Sequence, residues 1–167
     1  MGEKLTKSDV KKIEEEIEHR KLVVRRDAIE AVKEARAQGD LSENFEYYAA
    51  KRDKNQNESR IRYLEKMLKN ATIIDDSSDD DKMGINNTAV VYFEDEGETE
   101  NFRLVTSIRG DILNNLISTE SPLGKALLGH KEGDRILVET DNGNGYYIVL
   151  KQIIKTNDDS ADKIRRF

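Results

Sequence analysis

Two carboxylates three residues apart, Asp40 and Glu43, stand in the stretch "ARAQGDLSENFEYYAAK" (residues 35–51) among small and polar neighbours. Two chemistries suit that spacing. The first is local: D-x-x-E ahead of a helix is a capping arrangement, in which the first carboxylate accepts backbone N–H groups and the second reaches back. The second is ligation. Carboxylates are hard oxygen donors, and Mg²⁺ is commonly held by one or two of them together with waters and substrate phosphates, so a pair at an exposed tip is half a metal site. Another molecule has to supply the rest. Cysteine is absent, which excludes disulfides and thiolate ligands and fits a reducing compartment. The two histidines, His19 and His130, are far apart in sequence and read as ordinary surface residues.

The carboxylates interrupt a helical pattern that must position them. Before them Val10, Ile13 and Ile17, then after a polar position Val24, Ala28, Ala31 and Ala35, recur at steps of three and four; after them come Tyr47, Ala50, Lys54, Asn57, Ile61, Leu64, Leu68 and Ala71. Gly39 is placed to end the first helix in a left-handed conformation, and the short connection forces the two helices antiparallel. Each seam is narrow, so the pair is an arm, with residues 39–43 at its tip. A helix of about 28 to 30 residues makes it roughly 45 Å long.

Past Ala71 the period changes. "DDSSDDDKMG" reads as an acidic linker, followed by β-rich runs at 88–93, 101–107, 115–119, 135–140 and 146–154, with "DNGNG" at 141–145 as a hairpin. One short helix carries Ser121 as N-cap, Pro122 at its first position and Gly129 past its end. The expected organisation is α+β: an antiparallel coiled-coil hairpin over 1–74 with an acidic tip at 39–47, a linker over 75–84, a small antiparallel-sheet domain with one short helix over 85–155, and a flexible tail over 156–167. The net charge of −6 conceals a first segment, 1–70, with 17 Lys/Arg against 15 Asp/Glu, where a polyanion would be met. The N-terminus has no apolar h-region, and no run of about 18 apolar residues occurs, so a soluble cytoplasmic protein is expected.

The tip stretch, "RIRYLEKMLKNATIID" and "STESPLGKALLGHKEGD" together resemble the bacterial Gre transcript-cleavage factors, from about Leu5 to about Ile154. The resemblance implies a coiled-coil arm, an FKBP-like C-terminal domain that docks on bacterial RNA polymerase at its secondary channel, and an arm that reaches the active centre. The nascent RNA 3′ end would be the other partner, with no membrane and the chain acting as a monomer. Asp40 and Glu43 match the two acidic tip positions, thought to help hold a second Mg²⁺ jointly with the polymerase and so to stimulate its cleavage of backtracked RNA. Gly39, Leu41, Ser42, Asn44 and Tyr47 match the same motif. The protein would then be an accessory factor and no enzyme alone; prolyl isomerase activity does not follow from an FKBP-like fold.

Some residues depart from that pattern. Phe45 stands where the family commonly has alanine, and Tyr48 where histidine is frequent. Gln56 and Asn57 replace apolar residues, and Arg20 replaces a leucine. Pairing the hairpin from Ala35 with Tyr47 puts Val24 opposite Asn57 and Arg20 opposite Ile61, so both helices are polar at one height and the arm is loosened or its register fixed there. Lys21, Arg25, Arg36 and Arg52 are the candidate RNA contacts. Interleaved acids, Asp27, Glu30, Glu34, Asp53 and Glu58, leave a plain solvated helix surface equally open. A binding-only inhibitor of the same channel and a stand-alone metal-dependent nuclease are the other function classes, the latter short of ligands.

Overall fold

The computed structural model of the chain describes residues 2–39, 44–156 and 158–166. Contacts divide it into two compact units, one built on Asp9–Ala71, the other on Glu3–Ser8 and the chain from Thr72 onward.

The first unit is the helical hairpin. Helix α1 (Lys7–His19) runs into a π-helical segment (Arg20–Val24) and then α2 (Arg25–Ala37); α3 (Phe45–Asn70) returns antiparallel. The apolar spacing dictates which face is covered: Ile13, Ala35, Ile61, Leu64 and Met67 are buried. All the buried residues of α3 lie between Asn57 and Met67, so its tip-side half has no buried side chain. That half is alanine-lined and thin.

A partly buried polar cluster occupies the middle of the hairpin. Glu16 Oε2 accepts from Arg20 Nε at 2.7 Å and from Arg60 Nε at 3.0 Å, and Arg60 Nη2 lies 3.4 Å from Glu16 Oε1. Arg20 Nη1 donates to Asn57 Oδ1 at 3.0 Å, and Asn57 Nδ2 donates back to the Arg20 carbonyl at 3.2 Å. That carbonyl also receives the N–H of Arg25, five residues on, which is the wide-turn bond of a π-helix. A side chain that inserts against a helical carbonyl is a recognised cause of such a distortion. The expected pairing of Arg20 with Ile61 is therefore replaced by pairing with Asn57, one turn nearer the tip. Beyond the π segment Ala28 and Ala35 are covered as expected, but Ala31 is exposed and Val32 is half-buried in its place. Substituting leucine for Arg20 and isoleucine for Asn57 would remove a bonded pair, not an idle one.

The second unit holds a sheet of order β5-β4-β3-β7-β6, made of β3 (Thr88–Phe93), β4 (Glu98–Val105), β5 (Leu116–Ser118), β6 (Arg135–Glu139) and β7 (Gly145–Ile154). All neighbours are antiparallel except β4 and β5, which run parallel, so the sheet is mixed where a purely antiparallel one was expected. Alternation puts Ala89, Val91, Ile136, Val138, Ile148 and Leu150 on one face, where Met83 and Leu127 complete the core. Leu127 comes from α4 (Pro122–Leu127), whose N-cap Ser121 accepts from Gly124 N at 3.1 Å. Two short parallel strands, β1 (Lys4–Leu5) and β2 (Thr72–Ile73), form a second sheet that the apolar pattern does not signal.

Two segments expected to be loose are held. In the acidic stretch, Met83 sits in the core, and the three N–H groups of Lys155 are shared among four oxygens, Ser78 Oγ (3.0 Å), Asp79 O (2.7 Å), Lys82 O (2.5 Å) and Asn87 Oδ1 (3.0 Å). In the tail, Asp162 bridges Arg103 Nη1 at 2.6 Å and Arg109 Nη1 at 2.7 Å, and Arg165 N donates to Ile108 O at 2.7 Å. The Arg109 side chain is 0% exposed and that of Asp162 6%, so this is a buried ion pair, and residues 158–166 are a strap and not a frayed end.

Two outcomes are expected. Burial alone would raise the Glu16 carboxyl, but hydrogen bonds and charge from Arg60 and Arg20 outweigh it and hold the group below its ordinary value of 4.5. A carboxyl held low in the folded state stabilises fully above its unfolded pKa and loses that contribution as pH falls through the lower folded value. Helical circular dichroism of the arm should therefore weaken below about pH 4.5, and Glu16→Gln should lower stability at neutral pH and flatten the acid response. In the second unit, Asp162→Ala removes a carboxylate from the buried Arg109, which keeps its bonds to Asn86 and Thr106, and should destabilise the unit by up to about 3 kcal/mol, read as faster amide hydrogen exchange in β4.

Candidate functional site

The tip is assembled by the residues that close the hairpin. Helix α2 stops at Ala37, with Gln38 at φ −87° and ψ 4°, and Gly39 follows at φ +141°, a backbone state that side-chain-bearing residues rarely adopt. On the return side Asn44 is the N-cap of α3: at φ −88° and ψ 90° it is extended, and its Oδ1 accepts from Tyr47 N at 3.0 Å. Its Nδ2 donates to the Ala35 carbonyl across the hairpin. One asparagine thus caps one helix and ties it to the end of the other.

Tyr47 completes the clamp. Arg36 Nη2 lies 3.4 Å from its hydroxyl and the guanidinium carbon 5.5 Å from its ring centroid, so Arg36 both bonds and covers the ring. The hydrogen bond from Arg36 holds the phenol below its ordinary value. Tyr48 packs edge-on to Tyr47 with centroids 5.4 Å apart. The structure therefore brings Ala35, Asn44, Tyr47 and Arg36 into one frame, with Gly39 just past the end of α2. Asp40, Leu41, Ser42 and Glu43 lie outside the described residues.

This frame corrects one expectation. With the helix beginning at Phe45, the cap of α3 is Asn44, and the capping box drawn from Asp40 to Glu43 is not the one that starts the helix. Both residue types cap well, and the sequence places both ahead of the same helix, so type alone did not decide between them.

The candidate RNA contacts separate into two groups. Lys21 Nζ pairs with Glu65 at 2.9 Å, and Arg25 grips Glu58 with two bonds of 2.9 and 2.8 Å. The bond from Arg25 holds Glu58 below its ordinary value, and Glu58 in turn raises Arg25. These two cations are engaged across the hairpin. Arg36 is engaged with Tyr47, whereas Arg52 is exposed and makes no ion pair among the described residues. The cross-hairpin ion pairs, and the layer of Glu16, Arg20, Asn57 and Arg60, are what residue types alone missed; the polar coincidence of Arg20 and Asn57 was the available signal. Among the described residues no group of three His, Asp or Glu is placed to hold a metal, and no helix is long and apolar enough to cross a membrane.

The double role of Asn44 can be separated. Asn44→Asp keeps the acceptor for Tyr47 N and removes the donor to Ala35; Asn44→Ala removes both. The alanine variant should lose about 1 kcal/mol from the cap and a similar amount from the cross-link. Amide exchange at Tyr47 should accelerate in Asn44→Ala and stay near wild type in Asn44→Asp.

Comparison with known proteins fits this geometry. Two family profiles match: "Transcription elongation factor, N-terminal" over residues 3–73, and "Transcription elongation factor, GreA/GreB, C-term" over 78–153. The transcription elongation factor GreA of Thermoanaerobacter pseudethanolicus is 48% identical over 140 residues, 83% of this chain and 89% of its own. That of Thermotoga maritima is 40% identical over 147 residues, 88% of this chain and 94% of its own. Among solved structures, GreA factor homolog 1 of Thermus thermophilus is 27% identical and covers 93% of this chain and 100% of its own, with a TM-score of 0.43. At that score the superposition adds nothing to the assignment, which rests on the profiles and the sequence identities. With both halves of the chain matched, the chain belongs to the GreA/GreB family of transcription elongation factors.

Proposed function

We propose that the chain enters the secondary channel of bacterial RNA polymerase and stimulates the polymerase's own cleavage of backtracked nascent RNA, with Asp40 and Glu43 as the working carboxylates. The observation that carries this reading is the identity of the cap. Because Asn44 fills the capping position of α3, the start of the helix does not depend on either acid as its cap, and neutralising them leaves that cap in place. The bonds of Asn44 to Tyr47 N and to the Ala35 carbonyl support it by tying the start of α3 to the end of α2.

The delivery device is the arm. Helix α3 has 26 residues, which at about 1.5 Å each spans about 39 Å, enough to carry a tip deep into a channel. Two carboxylates are a hard oxygen set that suits Mg²⁺ and is too small to hold it alone, so the ion would be shared with the polymerase. In two-metal phosphodiester cleavage the second metal activates a water and stabilises in-line displacement. The tip acids contribute negative charge beside that position, and the contribution grows where the channel walls exclude water. The chain acts in this reading as an accessory factor in the cytoplasm. Docking falls to the second unit, where Ile112 and Leu113, 85% and 96% exposed on a short 3₁₀ turn, form its most exposed apolar feature. For RNA, Arg52 is the cation best placed, since Lys21 and Arg25 would first have to release their carboxylates.

Neutral replacements test the acids without touching the cap. Asp40→Asn and Glu43→Gln should each slow stimulated cleavage of a stalled, backtracked complex by about tenfold or more, 1.4 kcal/mol of transition-state stabilisation per factor of ten. Helicity should be unchanged, polymerase binding should survive, and raised Mg²⁺ should partly rescue the single variants. A double variant that folds, binds and cleaves at the wild-type rate would overturn the reading, and RNA cut by this protein with Mg²⁺ but no polymerase would favour a nuclease.

A further inference from the structure

We infer that Phe45 and Tyr48 form a stacking platform for the unpaired base of the extruded RNA, with Arg52 beside them to meet its phosphate. The inference rests on the function proposed above and names what the tip-side face of α3 recognises.

Phe45, Tyr48 and Arg52 stand at positions i, i+3 and i+7 of α3, and so share one face of the helix. All three are exposed. Phe45 is 86% exposed and Tyr48 53%, and the Phe45 ring makes no aromatic contact among the described residues. A single exposed apolar residue on a protein surface is ordinary. This one differs in three respects. It is the first residue of a helix fixed by the Asn44 cap, so its backbone is held by a rigid element next to the acidic tip. A second exposed aromatic follows one turn later, braced from the side by the Tyr47 ring at 5.4 Å. A cation follows one further turn along the same face. Glu46 and Asp53 flank that face on the neighbouring row, but no acid lies on the row itself.

Aromatic faces in line with a cation are how proteins hold single-stranded nucleic acid without reading its sequence, because every base offers a π-face. The chemistry therefore selects an unpaired nucleobase of any identity. Stacking would hold the terminal nucleotide still while the bond behind it is cut, and holding reacting groups in place lowers the barrier to their reaction.

The test pairs a protein change with an RNA change. Backtracked polymerase complexes are assembled with RNA whose extruded 3′ nucleotide either carries a base or is abasic, and cleavage is followed with the wild-type chain, Phe45→Ala and Phe45→Trp. With the natural base, Phe45→Ala should be about tenfold slower, the effect of losing one base–aromatic stack, and Phe45→Trp should restore the rate. With the abasic nucleotide the wild type should fall to the rate of Phe45→Ala, and the variant should lose nothing more, the signature of two coupled groups. Equal rates for wild type and Phe45→Ala on the natural base overturn the platform. So does an equal slowing by Phe45→Ala on both RNAs, which would put the ring against protein instead. Unchanged circular dichroism establishes that the variants fold. A wild-type chain that accelerates neither complex sinks the proposed function itself, and the platform with it.

Discussion

A carboxylate shared between two guanidiniums in the middle of a thin hairpin is the constraint on which the arm depends. Glu16 collects Arg20 from its own helix and Arg60 from the opposite one, and Arg20 passes the connection on to Asn57. A hairpin this narrow has little apolar surface to fix how its helices slide past each other. An all-apolar seam of alanines and leucines tolerates a slip of one turn; a layer in which one carboxylate meets guanidiniums from both helices and Arg20 and Asn57 bond each other does not. Whatever the layer yields in net stability, it sets which residues face each other from there to the tip. The clamp of Asn44 and Tyr47 then closes an already registered pair.

The second unit solves a different problem with the same means. Its sheet has an ordinary apolar face, yet Arg109 is buried beside it, and the charge is answered from the far end of the chain by Asp162. Lys155 performs the matching task for the acidic stretch, collecting oxygens from Ser78, Asp79, Lys82 and Asn87. Segments rich in Asp and Ser, which composition marks as solvated, are thereby fastened to the sheet by single side chains.

Where the signal is local, the sequence is legible. Gly39 after α2, Ser121 and Pro122 opening α4, Gly129 beyond it and the alternation in β6 and β7 were all readable, because each depends on a few neighbouring residues. The π segment was not, since "RKLVV" contains neither glycine nor proline and its cause, Asn57, is far away in sequence. Nor was the strap, whose anchor joins Arg109 to a residue 53 positions later. At the site, the two acids were legible as a type of donor, and the resemblance supplied their role. Which residue caps α3 was not legible: Asp40 and Asn44 are equivalent candidates until the first turn of the helix is located.

The π segment has a consequence for inheritance. One residue added to a regular helix turns everything beyond it by about 100° and advances it by about 1.5 Å. A five-residue wide turn is what a helix makes when it must absorb such a residue without unwinding, and here it lies between the base-side half of the arm and the half that carries the tip. Loss of a single codon within Arg20–Val24 would therefore return the segment to a regular helix while leaving the half beyond it in its present rotation about the arm's own axis. A lineage could thus gain or shed a residue of the arm at this one place without altering which way the far half faces.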